Sequence, residues 1–252
     1  MGTSASSKGP GSGVPLVPTW VGNNPAVAEP ARFRSARTNL GSFAKSGSDH
    51  NLKRGLGHYS RSGLGGSATG TARMGRTTAA AGGFADALSA LRDGAPLPPN
   101  IPLDPATLTG KSQQEIADAI IDAVTPTDGT QDAESSRDSA ARAFAEVLEV
   151  SPAADLTALP QDMVELFFER FLANDLVARI QLDVGKAVLD RAPDAATAIQ
   201  RLETMQSFVK QEFNRAAQAL KDAGQRLQQG NGKALGDASI KATLDVFEGW
   251  LK

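Results

Sequence analysis

Residues 160–188 read PQDMVELFFERFLANDLVARIQLDVGKAV, and this stretch decides the fold. Met163, Phe167, Phe171, Leu172, Leu176, Ile180, Val184 and Val188 return about every four residues, which is the period of a helix with one apolar face. Pro160 suits the first helical turn, where its missing N–H removes no hydrogen bond. Burying each large side chain contributes roughly 1.5 to 3 kcal/mol, so this stripe predicts the central core helix.

The same period extends on both sides. Downstream, Pro193-Asp194 opens a long helix with Ile199, Leu202, Met205, Val209, Phe213, Ala216 and Leu220 on its predicted buried side. A loop is predicted over 225–236, then a short helix from Ile240 to Leu251 carrying Val246, Phe247 and Trp250. Upstream, Asp132 to Val150 places Ala140, Phe144, Val147 and Leu148 on one face before Ser151-Pro152 stops it. Ser112 with Glu115 three residues later has the form of a capping box leading into Ile116, Ile120, Ile121 and Val124. Phe84, Leu88 and Leu91 mark a shorter helix, closed by Gly94 and the prolines at 96, 98, 99 and 102. No strand period interrupts this series, so the fold class is all-α, a C-terminal helical bundle over residues 84–252.

Residues 1–83 read differently. They hold 16 of the 25 glycines and show no sustained period. Three Lys and seven Arg stand against Glu29 and Asp49, a formal charge of +8, while the remaining 16 basic and 26 acidic groups give −10. A segment with so little to bury does not recover its chain entropy, so a long, largely irregular, flexible basic N-terminal arm is predicted ahead of an acidic helical body. Three apolar islands punctuate it: Val14 to Trp20, Arg32-Phe33 through Phe43, and Leu56 through Tyr59. Islands of this kind are predicted grips for a partner surface.

Composition removes several classes of chemistry. Cysteine is absent, which excludes disulfides, thiolate metal sites and a cysteine nucleophile. No apolar leader or membrane-length run appears, so a cytoplasmic location is expected and a membrane partner is not. His50 and His58 both fall in the arm, and no GxxxxGK phosphate loop is present; no catalytic residue, metal site or bound cofactor is expected. The carboxylate pairs Asp118/Asp122 and Glu165/Glu169 read as solvated helix faces. The arm's cations, interleaved with Phe33, Phe43 and Tyr59, suit either an acidic protein surface or nucleic acid.

The N-terminus offers chemistry of its own. Removal of Met1 leaves Gly2 with an unhindered α-amine of pKa near 7.7 to 8.0, partly uncharged and nucleophilic at neutral pH. Thr3 and Ser4 follow it, and the run to Gly9 spans about 25 Å when extended, which suits threading into another enzyme's pocket. The same letters fit the pattern for N-myristoylation, the mark of a peripheral membrane adaptor.

MGTSASSKGPGSGVPLVPTW at the start, Pro30-Ala31-Arg32-Phe33 with Ala36-Arg37 and Phe43 through Gly47, then Leu56-Gly57-His58-Tyr59, Gly65-Gly66 and Ala72-Arg73-Met74-Gly75 together resemble the QatB family. That family belongs to the Qat anti-phage defence system of bacteria. The resemblance implies a non-enzymatic subunit working beside an ATPase, a QueC-like enzyme and a TatD-like nuclease. It further implies that the QueC-like enzyme uses ATP to attach a deazaguanine base to an N-terminal glycine, here Gly2. Thr3, Ser4, Pro15, Leu16, Val17, Pro18, Trp20, Arg32, Phe33, Arg37, Phe43 and Tyr59 are then the expected partner-binding residues. A basic subunit that delivers the nuclease to nucleic acid is the alternative.

Overall fold

Helical periodicity carries through nearly all of the described chain. The computed structural model describes residues 13, 15–17, 27, 29–125, 127 and 129–252. In order, the helices are α1 Arg34–Ser46, α2 Asp49–His58, α3 Ser67–Arg73, α4 Gly75–Asp93, α5 Gln113–Val124, α6 Gln131–Val150, α7 Gln161–Ile180, α8 Lys186–Leu189, α9 Ala195–Asp222 and α10 Gly232–Gly249. A π-helical turn, Tyr59–Gly63, extends α2, and a second, Gln181–Gly185, joins α7 to α8. Among the described residues there is no strand, only an isolated bridge between Pro15 and Val27. The chain is all-α.

The helices gather into two compact units built from separated segments. One comprises residues 1–75, 179–216 and 239–252, the other residues 76–178 and 217–238. With 17 Lys and Arg against 9 Asp and Glu, the first is formally +8; with 9 against 19, the second is −10. The charge division read along the sequence is therefore a division between units. The expected boundary at residue 83 instead falls inside α4, whose helix is continuous from Gly75 to Asp93.

The acidic unit follows its apolar pattern. At the start of α5, Ser112 Oγ accepts from the Glu115 N–H at 3.3 Å while Glu115 Oε2 accepts from the Ser112 N–H at 2.8 Å, the reciprocal cap expected from the sequence. Phe84 of α4, Phe144 of α6, and Phe167 and Phe171 of α7 form one aromatic core, with ring centroids 4.3 to 6.4 Å apart. All four rings are buried. Asp175 of α7 is buried too, satisfied by the hydroxyls of Thr77 at 2.5 Å and Ser136 at 3.0 Å. Glu165 and Glu169 are not the solvated pair expected: both lie half-buried and share Lys221, whose Nζ is 3.6 and 2.6 Å away. Helix α10 begins at Gly232, inside the predicted loop. A Cβ on Gly232 would lie 2.8 Å from the Gly82 Cα, so bare glycines let α4 and α10 touch, and that contact stabilises the extra turns.

The basic unit departs from expectation. Residues 34–73, predicted as irregular arm, form α1 to α3, and Phe33, Leu40, Phe43, Leu52, Leu56 and Tyr59 are at most 2% exposed. Small residues make this possible. A Cβ on Gly55 would meet Leu40 Cγ at 2.7 Å, so α1 and α2 approach more closely than alanine permits. Gly47, at φ 69°, takes the left-handed conformation that ends α1, its N–H bonded to the Phe43 carbonyl at 2.7 Å. The α9 face follows the predicted stripe at Met205, Val209, Phe213 and Ala216, all buried, and departs from it only at its start, where Ala198 is buried and Ile199 is 58% exposed. In α10, Phe247 is buried while Val246 is 39% exposed.

Candidate functional site

Four of the residues singled out in the sequence come together in the basic unit. The chain enters through Pro30 and Ala31, and Ala31 adopts φ 52°, the positive-φ conformation that costs a non-glycine residue roughly 1 to 2 kcal/mol. Its carbonyl accepts the Arg34 N–H at 2.7 Å and starts α1. This reversal drives Arg32 and Phe33 inward. Phe33 stacks on Tyr59 with centroids 5.9 Å apart and an interplanar angle of 20°. Its other boundary is Gly63, where a Cβ would lie 2.6 Å from the ring. The guanidinium of Arg32 lies 4.6 Å from the Phe33 ring centre and that of Arg37 lies 5.6 Å from it.

Asp183, which the sequence reading missed, joins these residues. The Tyr59 hydroxyl donates to Asp183 Oδ2 at 3.0 Å, and Arg37 Nη2 donates to the Asp183 backbone carbonyl at 3.0 Å. Tyr59 and Asp183 come from the two π-helical turns, which re-aim side chains relative to a regular helix. The available signal was a carboxylate lodged between Leu182 and Val184 in the core helix.

Burial sets the electrostatics. Desolvation first, then the neighbouring Asp183 charge, pushes the Tyr59 phenol well above its ordinary value, so the hydroxyl remains a donor. Asp183 is itself raised by burial, an effect opposed by Arg179, the Tyr59 hydrogen bond, Arg73 and Arg32. Arg32 falls to about 10, through desolvation and then the Arg73 charge. The arrangement is a buried clamp: aromatic stacking fixes the rings, and one carboxylate is held among several cations.

The other expected grips divide. Pro15 is exposed, whereas Leu16 and Val17 are buried, and a Cβ on Gly65 would meet Leu16 Cδ1 at 2.7 Å. Phe43 is fully buried beneath the Arg201 guanidinium at 5.8 Å. Phe33, Phe43 and Tyr59 thus pack the unit's interior and are not surface grips, because apolar rings beside α1 and α2 gain more from burial than from exposure. Arg37 is half-buried. Gly2, Thr3, Ser4, Pro18 and Trp20 lie outside the described residues. No group of three or more His, Asp or Glu side chains capable of holding a metal occurs among the described residues. No helix among them is long and apolar enough to cross a membrane.

A family model described as Qat anti-phage system associated protein QatB matches residues 65–247. The chain belongs to the QatB family. As a QatB protein it is a component of an anti-phage defence system, and its partners are other components of that system. No curated protein matches it, and no solved structure does. The QatB match runs from just before α3 into α10 and includes Arg73, Arg179 and Asp183, but not Arg32 or Phe33. Of the resemblance motifs, only Gly65-Gly66 and Ala72 to Gly75 fall within it; the rest of the match lies on the helical portion.

Proposed function

We propose that this QatB protein is a non-enzymatic subunit whose Gly2 α-amine accepts a deazaguanine base from a QueC-like partner enzyme that uses ATP. Leu16 carries the reading, because it is the first buried large side chain among the described residues. Gly2 precedes it by fourteen positions, a length of chain that spans up to about 50 Å when extended. That is enough to enter a deep pocket while the helices remain outside it. An amine of pKa near 8 is partly deprotonated at neutral pH and therefore nucleophilic without help from this chain. Pro15 is exposed at the base of this segment and Arg37 is partly exposed, so both are available as grips. Loss of Met1 must come first, since it exposes the glycine amine.

Intact-mass measurement of the chain produced with and without the other components of its system tests this reading. A gain confined to Gly2, with the mass of a deazaguanine base, is expected only in the complete system. A fatty-acyl mass would favour the membrane adaptor, and an unchanged terminus in the complete system overturns both. The concentration of +8 in one unit supports a second reading, a basic subunit that brings a TatD-like nuclease to nucleic acid alongside the system's ATPase. DNA affinity that falls steeply with salt would favour it, and a slope near zero would remove it.

A further inference from the structure

Arg32 is only 6% exposed, yet its Nε and Nη1 reach no acceptor, and Nη1 of Arg73 is also buried without one. Buried guanidinium donors normally find partners, because water is lost and nothing replaces it. The groups around them are already engaged. Asp183 Oδ2 accepts from Tyr59, and the Asp183 carbonyl accepts from Arg37. Arg73 lies close enough for its charge to act on Arg32, while both act on the single carboxylate of Asp183. The cluster therefore contains more positive charge and more donors than its own acceptors satisfy.

We propose that Arg32 and Arg73, beside the Tyr59 and Asp183 pair, form a binding site for a phosphate group. Two cations with unfilled donors match a dianion that presents several oxygens. The Phe33 ring beneath Arg32 holds its guanidinium in place, and the constrained turn at Ala31 fixes where that side chain enters the unit. Arg73, on the last turn of α3, is only half-buried and marks the side from which the anion enters. Free phosphate and the phosphates of a nucleotide share this chemistry. The site belongs to the packed unit and does not depend on the state of Gly2, so its test is made on the chain produced alone.

Calorimetric titration of the full chain with inorganic phosphate and, separately, with ATP, in chloride at matched ionic strength, tests the site. Saturable binding of at least one is expected. Arg73→Gln should weaken it tenfold or more, and Arg73→Lys, which keeps the charge but loses the fork, by less. Arg34→Gln, an exposed cation near the cluster, should leave it unchanged. Arg32→Gln should also weaken binding, and Arg73→Gln alone decides the matter if that variant does not fold. Binding of both probes identifies the free ion as sufficient, whereas binding of ATP alone identifies a nucleotide. No saturable binding of either, or equal affinity in wild type and Arg73→Gln, overturns the site.

Discussion

In the acidic unit, apart from the Gly82 and Gly232 contact of α4 with α10, the helices are held apart by large side chains, with Phe84, Phe144, Phe167 and Phe171 filling the space between α4, α6 and α7. In the basic unit they are brought together by small ones: an added Cβ would strike Leu40 from Gly55, Phe33 from Gly63 and Leu244 from Gly70, each within 2.7 Å. The two modes place different demands on sequence. Aromatic packing announces itself as an apolar stripe, whereas close backbone approach requires glycine, which by itself reads as looseness. The basic unit also encloses cations beside one carboxylate, and the buried Asp175 of the acidic unit accepts from the Thr77 and Ser136 hydroxyls.

The largest effect should come from the aromatic core. Phe171→Ala removes a fully buried ring and is expected to cost about 3 to 5 kcal/mol in urea unfolding. A loss below about 1 kcal/mol would show that the acidic unit does not depend on that cluster. In the basic unit, Tyr59→Phe keeps the stacking on Phe33 but leaves Asp183 Oδ2 without its donor, with an expected cost of about 1 to 3 kcal/mol. A neutral outcome would reduce the clamp to ordinary packing.

Gly55→Ala sharpens the contrast from the other direction. In an isolated helix this change helps by roughly 1 kcal/mol, but here the Cβ meets Leu40, so a net loss of about 1 to 2 kcal/mol is expected by thermal melting. A gain would mean that α1 and α2 can separate freely. The smallest effect concerns pH. Burial, then Arg54 and Arg61, lowers the His58 pKa, so the folded chain binds that proton less readily than the unfolded one. Its contribution is intact above the ordinary histidine value near 6.5 and is lost as pH falls through it toward the depressed folded value. His58→Gln should flatten the stability profile across that window, and an unaltered profile would remove His58 as a cause.

Much of the acidic unit was legible. The Ser112 and Glu115 cap, the α6 face and the α7 core stripe all follow from local spacing, since a helix cap and an amphipathic face are written in residues three and four apart. The N-terminal helices were not legible. In α1, RSARTNLGSFAKS, the buried face consists of Ala36, Leu40, Gly41, Phe43 and Ala44, too small a set to signal a core. Short helices of this composition are marginal alone and form because neighbouring segments cover them. Of the site, Arg32, Phe33, Arg37 and Tyr59 were identifiable as an unusual mixture of cations and rings, but their roles were not. Asp183 lies 124 positions from Tyr59, and no local pattern encodes that pairing.

The sequence by itself determined the helical class, the opposite charges at the two ends and the absence of cysteine chemistry, because each is a property of composition or of neighbours along the chain. Only the tertiary structure decided that the basic segment is packed from Phe33 onward, that the charge division is one between units, and that the Tyr59 hydroxyl meets a carboxylate supplied from the core helix. The physical reason lies in burial and electrostatics, which depend on distance through space, whereas a sequence records only distance along the chain.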